Sequence, residues 1–450
     1  MALMDNFWLF MLSLLAMTPG GGSAFHTDLL AVVLSDGYLQ AQQVETKPES
    51  LLAVVKRSPR SPRELATQLV AIRWYGENPD KLGDHRQAVH EVLQGLAKGP
   101  PGFARDYALF ALARLEGKTP PALHIMPKES TRSQAFEWFP DDVTFVAALD
   151  LRAAPGQKEA DVETVAAVNR IRNKFLTVIP GNAQPGIHGI VNELGNVRID
   201  RVAFGYSPDP TGQRRSRIFV RITGQGDAKL VAEFIKSKGQ QANLEVRKGP
   251  NGVAMYVLTQ PRMPIFAFIG DADLIICGYE DDNANHAEVF DQVLAVLSGK
   301  RGSAAKGPYA PVLKTATEDA RAVLVGSLPD ELRRELARSP LGVAPLSLFA
   351  DLSHAKSGSG VDIRVRASFD NETDAKKGSE GAKATLKQLA GGLGTLPFKL
   401  NPETVATLQK ALGEAQISVE GSNASGSARL TSTTLKALGE LIEAASADRP

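Results

Sequence analysis

The chain reads as an α+β protein. An N-terminal helical segment precedes two related halves of mainly antiparallel sheet with helices on one face. Three observations predict this. Apolar alternation over IDRVAFGYSP and RIFVRITGQG, residues 199–208 and 217–226, brackets a Pro/Gly turn and runs into an amphipathic stretch. That is the order strand, hairpin, strand, helix, and a similar order returns from Pro345 to Leu389. Upstream, a pair of helical patterns repeats at a constant spacing. Because strands arrive as hairpins of alternating polarity, the sheet is antiparallel. A doubly wound nucleotide fold is excluded, since strand and helix do not alternate one for one.

Length and composition bound the rest. A chain of 450 residues accommodates two to four domains. With 43% hydrophobic and 22% charged residues it can bury enough apolar surface to offset its ordering entropy. The 51 basic and 50 acidic residues leave a net charge of +1, so the basic excess that phosphate neutralisation demands is missing and no nucleic-acid partner is expected. Cys277 is the one cysteine. It cannot form an internal disulfide, and inside the apolar run DLIICGY it reads as a small buried strand residue.

Residues 1–24 read as a signal segment. Phe7 to Met17 is an uninterrupted apolar and small-residue run, too short for the roughly 20 residues that span a bilayer. Gly22, Ser23 and Ala24 then supply a cleavage site after Ala24. Asp5 and the lack of Lys or Arg before the run depart from the secretory pattern. The expected location is exported or cell-envelope associated, periplasmic or membrane-anchored. The alternative, with a mis-assigned start or a buried helix, is cytoplasmic.

Over residues 28–117 two helical units can be laid on one another without a gap at an offset of 41 residues. Leu52 falls on Leu93, Pro59 on Pro100, Leu69 on Phe110, Arg73 on Arg114 and Gly76 on Gly117. Each unit has a short apolar helix, a proline break and a longer amphipathic helix ending near Gly. This pattern resembles HEAT repeats. The resemblance implies a surface that binds a protein partner. Two units do not close a core alone, so they lean on the apolar segment from Leu29 to Leu39 or on the next domain. Residues 118–131, Pro-rich and polar, read as a linker.

The first α+β half, 132–298, opens with the strand VTFVAALDLR. A helix over 161–176 follows, then the hairpin and helix already described, with Leu230, Val231, Phe234 and Ile235 as its core stripe. Two more hairpins follow, the first turning at Asn251-Gly252. A last helix begins near His286, where Asn285 and Glu288 form a capping box. Residues 299–311, rich in Gly, Ala and Lys, read as a flexible linker. The second half, 312–447, repeats the plan at an offset of 145, Phe204 on Phe349, Ile218 on Ile363, Val220 on Val365 and Arg221 on Arg366. It inserts a helix capped by Asn401 with Pro402 at its first position, and it lacks the last strand pair. The opening strand after Trp138-Phe139-Pro140-Asp141-Asp142, the run AFIGDADLIICGYEDDNANHAEVFDQVLAVLSGK and the later VLVGSLP strand resemble exported bacterial domains of the DUF3352 type. The resemblance covers residues 132–450 and implies no catalytic residues.

No phosphate-loop, zinc-protease, nucleophile-elbow or Cys-pair motif is present. His85 and His90 lie on different helix faces, and the other histidines are scattered. Gly224-Gln225-Gly226 lacks the third glycine of a dinucleotide fingerprint, and Asp227 reads as a helix cap. The cluster from Glu280 to His286 lacks the spacing of a calcium loop and suits a helix N-terminus. Arg214, Arg215 and Arg217 read as solvated charges that blunt a sheet edge. Asp142, Asp150 and Asp209 have no general-acid partner by spacing. No catalytic, cofactor or metal residue is therefore assigned. The expected function is a non-enzymatic scaffold that docks a protein partner through its helical segment. The alternative is a carrier of an apolar or lipid-like ligand in a pocket of the α+β halves.

Overall fold

The computed structural model describes residues 28–118, 120, 132–152, 184–209, 215–239, 241–270, 273–281, 283–316, 320–328, 330–339, 341–354, 360–395 and 400–447. The N-terminal apolar run, the helix expected over 161–176 and most of the 118–131 stretch lie outside them.

The helical segment comprises α1 (Ser35–Ala41), α2 (Pro48–Val55), α3 (Pro62–Glu77), α4 (Arg86–Ala97) and α5 (Phe103–Leu115). Ser61 caps α3 by accepting the Glu64 N–H at 3.2 Å, while Glu64 Oε2 accepts the Arg60 N–H at 2.6 Å. The longer helices α3 and α5 are the buried members of the two pairs, contributing Leu69, Val70, Trp74, Tyr107 and Phe110 to one core with Leu30, Tyr38 and Leu39. The two units are not equivalent at their arginines. Arg73 is buried and donates to Leu30 O at 2.5 Å and to Val33 O, so it pins the 29–39 segment, whereas Arg114 is exposed.

Among the described residues twelve strands form one antiparallel sheet: β1 (Phe145–Asp150), β2 (Arg198–Ser207), β3 (Arg217–Gln225), β4 (Asn243–Lys248), β5 (Ala254–Thr259), β6 (Ile265–Ile269), β7 (Asp273–Tyr279), β8 (Ala322–Ser327), β9 (Ser347–His354), β10 (Val361–Ser368), β11 (Gln416–Glu420) and β12 (Asn423–Leu430). Their order is β11-β12-β10-β9-β8-β1-β2-β3-β7-β6-β5-β4. The two halves meet along the β1–β8 pair, centred on Ala147 opposite Leu324. Outward from that seam each half lays down the same sequence of strands. β1, β2, β3, β7 and β6 answer to β8, β9, β10, β12 and β11. The antiparallel seam makes this an approximate two-fold relation perpendicular to the sheet.

The ladders fix which residues correspond. Ala147 pairs with Phe204 and Phe204 with Val220. Across the seam Leu324 pairs with Ala350 and Ala350 with Val365. Val220 and Val365 are therefore equivalent, as the 145-residue offset requires. Phe204 instead corresponds to Ala350, and Phe349 to Ala203. The sequence match of the two phenylalanines is out by one residue, which in a strand moves the ring to the other face. The strand pair missing from the second half is β4–β5, since β6–β7 has its counterpart in β11–β12.

The remaining helices among the described residues are α6 (Gln184–Leu194), α7 (Ala228–Lys238), α8 (His286–Leu297), α9 (Ala310–Leu313), α10 (Asp330–Arg338), α11 (Glu372–Gly392), α12 (Pro402–Gly413) and α13 (Ser432–Ala447). On what we call the upper face, α7 packs Ala228 and Ala232 on Phe268, beside Tyr256, Phe266 and Leu274. In the second half α13 packs Leu435 against Val361 and Leu430, which the register places on the same face. The expectation of helices on one face fails for α8. Its Val289, Phe290 and Val293 pack on Met255, Val257, Ala267, Ile275 and Cys277, the lower face. Both faces of this half-sheet carry apolar side chains, so both need cover. Nor is the 299–311 stretch a free connection. Ala304, Ala305 and Tyr309 are buried in the lower-face core, and the Ala304 N–H donates to Phe139 O at 2.8 Å. Small residues there allow close packing. At α8 Asn285 does cap, accepting the Ala287 N–H at 3.3 Å. Glu288 meets the Asn285 side-chain amide rather than its backbone.

Candidate functional site

Among the described residues, the polar residues that the sequence singles out are tied into local structure and do not converge; Arg214 and Asp282 lie outside the described residues. Asp227 Oδ1 accepts the Leu230 N–H at 3.0 Å and caps α7, while Gln225 Oε1 accepts from Arg198 at 3.2 Å. In the acidic cluster Asp281 Oδ1 accepts the Asn283 N–H at 2.9 Å, and buried His286 accepts the Tyr279 N–H at Nδ1, 3.1 Å. His85 faces Glu49 at 3.5 Å, and His90 faces Glu116 at 3.2 Å, both on the surface. Arg217 does not guard a sheet edge. β3 lies between β2 and β7, and Arg217 pairs with Asp142 at 2.9 Å, a carboxylate that also meets Arg301 at 2.8 Å. Asp209 accepts the Arg215 N–H at 3.1 Å. Asp150 is buried between Arg152 and Arg201, at 2.7 and 2.8 Å. Burial pushes its carboxyl pKa up, but the two guanidinium partners outweigh that and hold it below the usual carboxylate range. Cys277 is buried, and burial raises its thiol pKa far above the range of a nucleophile.

One ionic cluster joins the helical segment to the sheet. Arg198, at the start of β2 and fully buried, donates to Asp28 Oδ1 at 2.5 Å and to Asp106 Oδ2 of α5 at 3.0 Å. Its guanidinium lies 4.8 Å from the Phe103 ring centroid. The Leu29 N–H donates to Val197 O at 2.8 Å, and Tyr38 reaches Asn192 of α6 at 2.6 Å. The helical segment is thus clipped to the first half by charge-assisted bonds. Close by, burial and the Asp28 charge raise the Tyr107 hydroxyl pKa well above its ordinary value.

Among the described residues an opening lies in the second half, on the upper face. An apolar cleft of about 560 Å³ runs between the sheet and α11, closed at one end by α10 and the chain that follows it. Its floor is the upper face of β10, β12 and β11, with Ile363, Val365, Ala424, Gly426 and Ile417. Ala382 and Leu386 of α11 form the roof, and Leu336 and Leu341 the end. The volume falls within the roughly 300–1,000 Å³ of small-molecule sites.

The sequence dictates this space. In the first half the positions equivalent to Ala424, Gly426 and Ile417 hold Leu274, Ile276 and Phe266. Of these, Leu274 and Phe266 pack against the Ala228–Ala232–Phe268 cluster beneath α7. Here each is smaller, and α11 is anchored at its N-terminal end, where Gly378 permits close approach to Phe369. Gly378 faces Phe369 so closely that a Cβ there would stand 2.5 Å from the ring. A Cβ on Gly426 would meet nothing nearer than Gln416 O at 3.9 Å, so the floor is open above it. Sequence reading found the β11–β12 hairpin but not the cleft. The signal was the alternation Ala424, Gly426, Ala428, small residues on the face where a buried strand carries bulky ones.

No family model matches the chain, and no curated protein matches it. Among solved structures, one titled "Structure of crystal form I of TP0453" is similar at a TM-score of 0.32 and 10% identity, over 70% of this chain and 98% of that one. A likeness at that score bears on neither fold nor role.

Proposed function

We propose that the protein is a non-enzymatic binding protein that carries an apolar ligand in the cleft of its second half. The observation that carries this reading is the cleft itself. About 560 Å³ is lined mostly by apolar side chains, with Ala424, Gly426 and Ile417 on the floor where the first half has Leu274, Ile276 and Phe266. Apolar space of this size is costly unless something occupies it, because its walls lose their contacts. The non-enzymatic part is supported by the carboxylates, which are held by arginines and backbone amides, and by the buried thiol of Cys277.

We further propose an exported or envelope-associated location, on the strength of the Phe7–Met17 run. Among the described residues no helix is long and apolar enough to cross a membrane. A docking role for the helical segment, resembling HEAT repeats, completes the reading. The Arg198 cluster supports it, since a segment fixed to its body presents one defined surface.

The test is titration of the full chain with the neutral apolar fluorophore N-phenyl-1-naphthylamine. Saturable enhancement at one equivalent is expected. Enhancement that never saturates, or none, contradicts the carrier reading.

A further inference from the structure

The chemistry of the lining narrows the ligand class, an inference that rests on the carrier reading above. Among the described residues, no Lys, Arg, His, Asp or Glu lines the cleft. Its polar side chains are accounted for. Ser339 donates to Leu336 O at 2.6 Å and accepts the Leu341 N–H at 3.2 Å. Thr385 donates to Gly381 O at 2.9 Å. Gln416, Ser425 and Ser427 belong to the lower face by register and contribute backbone. That leaves the Ser379 hydroxyl in the roof. The lysines of α11, Lys376, Lys377, Lys383 and Lys387, are exposed and stand outside the lining.

A charged group drawn into such a cleft would lose its hydration and gain no partner. An uncharged group loses little. We propose that the cleft selects an uncharged lipid-like molecule, such as a long-chain alcohol, an ester or a hydrocarbon, over an ionised amphiphile of the same chain length. Ala424 and Gly426 provide the depth that receives it.

The experiment is competition against N-phenyl-1-naphthylamine bound to the full chain. The competitors are a long-chain alcohol and the carboxylic acid of equal length, at about pH 8, where the acid is ionised. Three proteins are compared: the native chain, Ala424→Leu/Gly426→Ile, and the milder Ile417→Phe. Each substitution restores the residue found at the equivalent position of the first half. The alcohol is expected to displace the fluorophore at a concentration at least about tenfold below that of the acid. Either variant, folded by circular dichroism, is expected to lose fluorophore binding.

Equal displacement by acid and alcohol, with binding still lost in the variants, overturns the uncharged-ligand inference and leaves the carrier reading standing. It would place the carboxylate at the mouth beside the α11 lysines. Fluorophore binding unchanged in both folded variants, or absent from the native chain, overturns both.

Discussion

Gly426 occupies in the second half the ladder position that Ile276 holds in the first. Val365 pairs with Gly426, and Val220, its equivalent, pairs with Ile276. One duplicated position thus carries a branched aliphatic side chain and, in the other copy, only a hydrogen atom on the floor of a cleft. If that difference makes the cavity, restoring the bulk should stabilise the protein. Ala424→Leu/Gly426→Ile is expected to raise the unfolding free energy by about 0.5–2 kcal/mol, the usual gain from filling a cavity. Urea unfolding measures it. A loss of stability would mean that the space above Gly426 is not available to a side chain.

The Arg198 cluster makes a separate prediction. Replacing Arg198 with Met leaves Asp28 and Asp106 without the cation that joins them to β2. Breaking a buried ion pair from one side costs about 3–5 kcal/mol. The loss should be accompanied by faster amide exchange across residues 28–117. A variant that loses less than about 1 kcal/mol, the range of an exposed pair, would show that the junction is carried by packing alone.

Asp150 predicts the acid limb of stability. Its carboxyl pKa is depressed in the fold by Arg152 and Arg201, against a value of about 3.9 in the unfolded chain. For such a group the unfolded state binds protons first as the pH falls. Its contribution is therefore complete above the unfolded value and is lost as the pH drops through the folded one. Below about pH 4, Asp150→Asn should lose stability less steeply with falling pH than the native chain. Chemical unfolding at a series of pH values checks this, and parallel acid limbs would refute it.

Cys277 gives a simple accessibility test. Its sulfur sits on the lower face beneath α8, and burial raises the thiol pKa. Native protein should resist iodoacetamide for hours and react fully in denaturant. Rapid labelling without denaturant would place the thiol at a surface.

Local patterns made much of the fold legible. The helix caps at Asp227 and Asn401, the two helix pairs and the hairpins follow from period, proline and turn chemistry, and the structure has them. What sequence could not carry was information held between strands. Matching Phe204 to Phe349 respects residue type, but a ladder tolerates no half-step, and the ring of Phe349 belongs to the other face. The helix of residues 286–297 looked like one more cover for a single face, because periodicity says which side of a helix is apolar and not which side of the sheet receives it. The 299–311 stretch looked loose, since Gly and Ala mark both mobile chain and tight packing. The cleft was hidden for the same reason. Small residues on a strand face are ambiguous until the register shows that their equivalents are Leu274 and Ile276.

The most direct test of the carrier reading is native mass spectrometry of gently purified full-length protein beside its Ala424→Leu/Gly426→Ile variant. The native chain should retain an adduct that solvent extraction removes and that extracts as an uncharged lipid-like species. The variant should fly at its bare mass. A bare mass for the native chain, or the same adduct on both proteins, would contradict a ligand held above Gly426.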